Sequence, residues 1–352
     1  MLGLDYAAEA ERFHRFQTPL IDIHTHIHGE RASGIYQRVA QQYRVGTTYS
    51  MSRMEEFQVV KTQMGEAIKL ISMPRFNSSD SLSDHSKGYS ERIRTAYQMG
   101  ARIAKFWSAP RLFDFVPGFT FRDHPLRLTT VERIEGMHTA LDLGMSLMFH
   151  VADPDTWFAT QYADQNRYGT KRQHHELFEV VLEKFPVTTI GAHMAGSPEN
   201  LSYLSTLLNR YPHLYLDISA TKWMVRELSK HPRQELSEFF LQWRERILFG
   251  SDIVTQDAHL TASTMKSGKE LQASSAEGAY DLYASRYWAL RTLLETNYDG
   301  PSPIVDPDLS MSAPAQYGID ATPILRGAAL PVEVLEWIYF KNAARLAAEN
   351  GW

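Results

Sequence analysis

His24 and His26, in the segment IDIHTHI, are separated by one residue, so on a β-strand both imidazoles project from one face while Ile23, Thr25 and Ile27 take the other. Two imidazoles at the mouth of a barrel make half of a tetrahedral or five-coordinate site for a borderline divalent ion such as zinc. Three more residues of suitable type lie far along the chain: His150 in FHVAD, His193 in GAHMAG and Asp252 closing LFGSD. The chain contains no cysteine, so disulfides are excluded and a metal would be held by imidazole and carboxylate. Each motif has an ordinary counterpart. An HxH pair can be a surface or hydrogen-bonded core pair, and an Asp after a strand commonly caps the next helix. What distinguishes these five is that all fall at the C-terminal limits of predicted strands.

Those strands are short β-branched or apolar runs ending in polar or small residues: Leu20–Ile27, Gly46–Ser52, Ala67–Arg75, Ala101–Trp107, Met145–Val151, Thr188–Met194, Leu214–Ala220 and Ile247–Ile253. Segments of helical period separate most of them, at Ser90–Met99, Val131–Leu143, His174–Lys184, Pro198–Arg210 and Arg233–Arg244. Eight alternating units predict an α/β fold, a (β/α)8 TIM barrel whose active site lies on the C-terminal rim. No Gly-rich phosphate loop follows the first strand, which disfavours an open doubly wound sheet. The expectation is one domain over 1–352, with the barrel at about 20–253 and a C-terminal extension at 254–352. Extra length sits at Ser108–Thr130, at Pro154–Arg172 and after Ile253, positions expected to form lids on the rim. Within the tail, Ala258–Glu277 is rich in Ser, Ala and Thr, Ala279–Thr296 has a helical pattern, Asn297–Pro323 is proline-rich and irregular, and Pro331–Glu349 predicts a closing helix.

The ordered set, HxH on strand one, His on five, His on six and Asp on eight, resembles the amidohydrolase superfamily. LFGSD, GAHMAG, YLDISA and the late KNAARL segment resemble its amidohydrolase-related branch, which holds aminocarboxymuconate semialdehyde decarboxylase-like and resorcylate-type decarboxylases beside hydrolases and lactonases. The similarity runs from about Leu20 to Leu346. It implies one divalent metal, zinc first with manganese or another divalent ion as alternatives, on His24, His26, His150 and Asp252, and His193 nearby as a catalytic or auxiliary group. Lys105, in ARIAKFW, stands where binuclear members carry a carboxylated bridging lysine; the branch is mostly mononuclear, so pairing with a rim carboxylate or substrate is the expectation. The chemistry implied is hydrolysis by a metal-activated water, with Asp252 moving the proton and His193 polarising the carbonyl. The alternative is non-oxidative decarboxylation of an aromatic or unsaturated carboxylic acid at the same metal, and a non-catalytic barrel that keeps its metal for stability or sensing is a third reading.

Around the proposed mouth, His28, Trp107, Arg111, Trp157 and Trp223 are candidate substrate contacts, within loops that also supply Phe113, Arg122, Phe158, Tyr162, Lys171, Arg172, Lys222 and Arg226. Rings interleaved with cations suit a small, planar, carboxylated substrate, although rim loops are polar in any protein. Asp217, in YLDIS, is expected to brace a neighbouring strand or histidine. With 41 acidic against 36 basic residues and no charge block, neither nucleic acid nor membrane is an expected partner. A hydrophobic content of 43% supports a large core, and the cytoplasm is the expected location, with a homodimer plausible.

Overall fold

The computed structural model of the chain describes residues 3–13, 16–76, 78–263 and 268–352. In chain order its strands are β1 (Leu20–His26), β2 (Val45–Ser50), β3 (Ile68–Leu70), β4 (Ile103–Trp107), β5 (Ser146–His150), β6 (Thr189–Gly191), β7 (Leu214–Asp217), β8 (Ile247–Leu248), β9 (Ile253–Val254), β10 (Asp299–Pro301) and β11 (Ile324–Arg326). Strands β1 to β8 alternate with helices, and β1–β2, β2–β3, β4–β5, β5–β6 and β6–β7 pair in parallel, as in the α/β, (β/α)8 fold expected. Contacts divide the chain into two compact units, one of Met1–Leu70, Ile218–Asp306 and Thr322–Ala344, the other of Ile71–Asp217, Pro307–Ala321 and Arg345–Trp352.

The first unit contains a parallel sheet in the order β3-β2-β1-β9. Its β1 is buried on both faces: Ile23 on one side and Asp22 and His24 on the other are all fully enclosed. Such double burial is usual for a parallel strand covered by helices. The helix Glu30–Gln42 covers this sheet with Ile35, Tyr36 and Val39, residues at i, i+1 and i+4 of one face. Ala276–Glu295, three residues earlier at its start than expected, is the other main cover.

In the second unit β4-β5-β6-β7 run parallel, with Trp107 opposite His150 and Lys105 opposite Met148. The predicted third strand, Ala67–Arg75, is shorter than expected: pairing with β2 stops at Leu70, and Ser72 instead forms a bridge to Ala104. Its helices carry explicit start signals, as at Lys171–Lys184, where Thr170 and Gln173 form a reciprocal capping box.

Three expectations about the extra length change. The segments Ser108–Thr130 and Pro154–Arg172 are not free lids: Leu112, Phe113, Phe121 and Leu126 from one pack with Tyr162 and Tyr168 from the other into a small core of their own. The irregular stretch Asn297–Pro323 contains β10, which pairs antiparallel with β11, and the short helix Pro307–Ser312. The closing helix runs as Val332–Glu336 and Asn342–Asn350, joined by a π-helical turn at Trp337–Lys341. That wider turn leaves the Ile338 carbonyl to accept the Phe249 amide at 3.0 Å, tying the helix to the chain just after β8. Of the Ser-, Ala- and Thr-rich stretch Ala258–Glu277, positions 264–267 lie outside the described residues. No helix among the described residues is long and apolar enough to cross a membrane.

Candidate active site

In the first unit His24, His26 and Asp252 converge, their ligand-type atoms all within 4.8 Å of one another. The Nε2 atoms of His24 and His26 lie 3.7 and 3.4 Å from Asp252 Oδ1. Bonds of roughly 2.0–2.2 Å at a tetrahedral angle place donor atoms about 3.3–3.6 Å apart, so the trio fits a small divalent ion. His24 is fully buried, and its Nδ1 meets the Ser219 hydroxyl at 3.1 Å, which orients the ring and leaves Nε2 toward Asp252. Gly250 makes this possible, since a Cβ there would come within 2.9 Å of His24 Cβ and 3.1 Å of Ser219 Cβ.

Asp252 does not end a continuous strand as expected. It sits between β8 and β9 with φ 57°, left-handed for a non-glycine residue, its amide donating to the His24 carbonyl at 2.8 Å. A side chain in that region costs about 1–2 kcal/mol, so the surroundings must hold it there. Asp22 supplies much of the hold. Its Oδ1 accepts the amides of His24 and Ser251, both at 3.1 Å, and its Oδ2 accepts the Ser251 hydroxyl at 2.6 Å and the Tyr287 hydroxyl at 2.8 Å. Tyr287 in turn meets Tyr36 at 2.6 Å, and Tyr36 meets Thr48 at 3.0 Å. Burial pushes the Asp22 carboxyl up to about 7 in spite of these donors.

His28, a candidate substrate contact, is buried, its ring 6.4 Å from that of His26 and its Nδ1 accepting the Arg53 amide at 3.2 Å. Burial, then the charges of His26, Arg53 and Lys269, hold it well below the usual histidine range. It lines a cleft of about 380 Å³ with Gly29, Arg53, Glu56, Gln256 and Asp257.

In the second unit His150 ends β5 as expected, but its Nε2 lies 2.8 Å from Asp153 Oδ1, a partner the sequence reading did not include. His193 departs further. β6 stops at Gly191, and His193, Met194 and Ala195 all have φ between 50° and 56°, forming a left-handed turn closed by Gly196. Two features hold that turn. Asp217, fully buried, accepts the His193 amide at 2.8 Å, the bracing role expected of it, and Gly196 passes so close to the Ala152 carbonyl that a Cβ would meet its oxygen at 2.1 Å. The His193 and His150 rings meet edge to face at 4.5 Å.

Lys105 is buried on β4, on the same face as Trp107 by strand parity. Trp107 stacks with Phe76 at 4.9 Å and lies 6.2 Å from the His150 ring, and exposed Arg111 sits 6.0 Å over Phe76. Trp157 gives its indole N–H to Asp308 at 2.7 Å, so that donor is already used. Trp223, in the first unit, is half-buried on the helix Thr221–Leu228. Among the other rim cations, Arg226 is buried in ion pairs with Glu227 and Asp306, and Lys171 pairs with Glu199 and Asp155. These two are structural rather than open to substrate. The residues missed by sequence reasoning are Asp22, Ser219 and Asp153; only Asp22, an acid inside an apolar strand two positions before His24, carries a local signal.

The solved structure of an uncharacterised TIM-barrel protein from Bordetella bronchiseptica is similar over 95% of this chain and 100% of its own, with 13% identity and a TM-score of 0.50, which supports the barrel fold. An amidohydrolase from Burkholderia multivorans (11% identity, 94% and 99% covered, TM-score 0.44) and a probable 2-pyrone-4,6-dicarboxylic acid hydrolase from Acinetobacter baumannii (10% identity, 76% and 92% covered, TM-score 0.42) are more distant. No curated protein matches the sequence. The pattern of the amidohydrolase family matches residues 83–346, three quarters of the chain and the stretch that carries His150, His193 and Asp252. Together with the ligand trio and the left-handed turns that present Asp252 and His193, that match places this chain in the amidohydrolase family.

Proposed function

We propose that this protein is a metal-dependent hydrolase of a small, carboxylated substrate, with zinc on His24, His26 and Asp252. His150, oriented by Asp153, would serve as the fourth ligand the family resemblance implies. The observation that carries the reading is the convergence of His24, His26 and Asp252, with His24 Nδ1 already occupied by Ser219. Family membership supports an enzyme and a divalent ion. When bound, such an ion lowers the pKa of its water toward neutrality and polarises a carbonyl.

The chain's own groups supply the rest. Asp252, fixed by its backbone, takes the proton from the attacking water and returns it to the leaving group. His193, held by Asp217, donates to the carbonyl oxygen where negative charge develops. Asp22 holds β1 and the Ser251–Asp252 turn in one geometry throughout.

The test is Asp252→Asn, assayed by proton release on a panel of lactones and by free-amine release on N-acyl amino acids, with elemental analysis of the same preparation. About one zinc per wild-type chain and a loss of about 10³-fold in turnover with zinc retained are expected. Full turnover by the zinc-loaded variant, or no bound metal in the wild type after re-supply, would refute the reading.

A further inference from the structure

Between the helices Lys171–Lys184 and Leu201–Arg210 of the second unit lies a cleft of about 620 Å³, lined by none of the residues given a part in the reaction. Five carboxylates, Asp155, Glu176, Glu179, Glu183 and Glu199, face two cations there, Lys171 and Arg172. Arg210 adds a third cation by pairing with Glu179 and Glu183, so two negative charges remain in excess. Acidic surface of this kind is common; what sets the cleft apart is the pair of atoms in its wall that meet no donor.

His175, 5% exposed, lines the cleft and gives its Nε2–H to the Ala195 carbonyl at 2.9 Å, with the Ser197 hydroxyl 3.4 Å from the same nitrogen. A carbonyl only accepts, so the proton sits on Nε2 and Nδ1 presents a bare lone pair. Burial presses the ring down to about 3, against the pull of the Ala195 carbonyl, so Nδ1 stays an acceptor at neutral pH, and no described residue donates to it. Glu199 repeats the pattern. Its Oε1 accepts the Asp155 amide at 2.9 Å and the Lys171 ammonium, while Oε2, buried, meets no donor among the described residues. Buried polar atoms without a partner are rare in folded proteins and call for a specific cause. Burial raises the Glu199 carboxyl against the pull of Lys171, a cost that a second N–H donor would remove.

Both unfilled atoms are acceptors in a cleft with negative charge in excess, so the group that fits is an N–H donor carrying positive charge. The acceptors are spread along the cleft and not gathered at one point. Glu176, Glu179 and Glu183 share one face of their helix, with about 10 Å along its axis between the first and the last. Tyr203, its ring 4.9 Å from that of His175, and Val180, 50% exposed, furnish apolar wall. Acceptors at intervals beside apolar wall suit a flexible chain with several ammonium groups better than a compact ion.

We propose that this cleft binds a linear aliphatic polyamine, one end donating to Glu199 and His175, the other paired with the Glu176 face of the helix, and its methylenes against Tyr203 and Val180. The site goes beyond the hydrolase reading and does not depend on it.

The experiment is calorimetric titration of spermidine into the full-length protein at low ionic strength, with butylamine, magnesium ion and the charge-matched peptide lysyl-lysinamide as comparison probes. Spermidine should bind at least about tenfold more tightly than each of them, and the Nδ1 resonance of His175 should shift on its addition. Glu199→Gln should weaken spermidine by about tenfold. Glu176→Gln, at a side chain 55% exposed where folding is not at risk, should weaken it by about two- to fivefold with the unfolding midpoint unchanged. Magnesium binding as tight as spermidine, a His175 resonance that does not move, or spermidine affinity unchanged in both variants would overturn the site. Peptide binding as tight as spermidine would also overturn it and assign the cleft to a basic protein segment. None of these readouts depends on zinc or on turnover.

Discussion

Replacing Asp22 separates two roles that this residue combines, charge and geometry. In Asp22→Ala the buried amides of His24 and Ser251 both lose their acceptor. Each unpaired buried N–H costs about 1–3 kcal/mol, so the loss is about 2–6 kcal/mol, a large share of the roughly 5–15 kcal/mol that holds a typical domain folded. Asp22→Asn should behave differently. Its amide oxygen can accept both backbone N–H groups, and its NH2 then faces the hydroxyls of Ser251 and Tyr287, which can turn to accept, Tyr287 redirecting its proton toward Tyr36 at 2.6 Å. That reversal costs less than about 1.5 kcal/mol. Urea unfolding of the metal-free protein at pH 7 measures both variants, and zinc titration of each tests the link to the site. Alanine should weaken zinc as well as the fold, because the distance from β1 to the Asp252 turn is no longer set. A loss below about 1 kcal/mol for alanine, or an equal loss for asparagine and alanine, would show that Asp22 does not clamp these two segments.

Three further outcomes follow from the same geometry. Ser219→Ala removes the hydroxyl that His24 Nδ1 meets and should weaken zinc by about 10–100-fold in a competition titration while shifting the unfolding midpoint little. Gly196→Ala would put a methyl against the Ala152 carbonyl in a backbone already at φ 73°; the His193 turn must shift, and turnover should fall by about 10²-fold with zinc content unchanged. Burial lowers His174 to about 4 and His175 to about 3, so both stay neutral when folded but gain protons near 6.5 when unfolded. Their contribution is complete above pH 6.5 and declines as the pH falls toward 4, and His175→Gln should flatten the stability-versus-pH slope by about 1.4 kcal/mol per pH unit between those limits.

Strand parity alone put His24 and His26 on one face, and the apolar runs located all eight barrel strands, because parallel strands buried on both faces leave a continuous hydrophobic signature. Their ends were harder to read. IGAHMA and ILFGSD look like uninterrupted strands, yet the left-handed residues His193, Met194, Ala195 and Asp252 break them, held there by Asp217, Ser251 and Gly196 contacts from other elements. Only Gly196 and Gly250 hint at such close approaches in sequence. The packing of Ser108–Thr130 on Pro154–Arg172 depends on long-range contacts such as the Tyr168 hydroxyl donating to Asp114 at 2.8 Å, which no periodicity encodes. His85 and Arg133 come together across 48 residues through backbone carbonyls, an arrangement invisible to any search for charge pairs.

The division of the chain has a consequence for how the protein is made. Asp22 grips Ser251 across 229 residues and Tyr287 across 265, and Ser219 reaches back 195 residues to His24. During synthesis β1 therefore leaves the ribosome long before β9, its partner in the sheet, exists. The stretch Ile71–Asp217 is continuous and can collapse while the remainder is still being translated, whereas the trio of His24, His26 and Asp252 assembles only after the chain has returned. In the interval β1 carries an unpaired edge on the side that β9 will take, a site for wrong pairing, and metal cannot cover it because the carboxylate that completes the site has not yet been made.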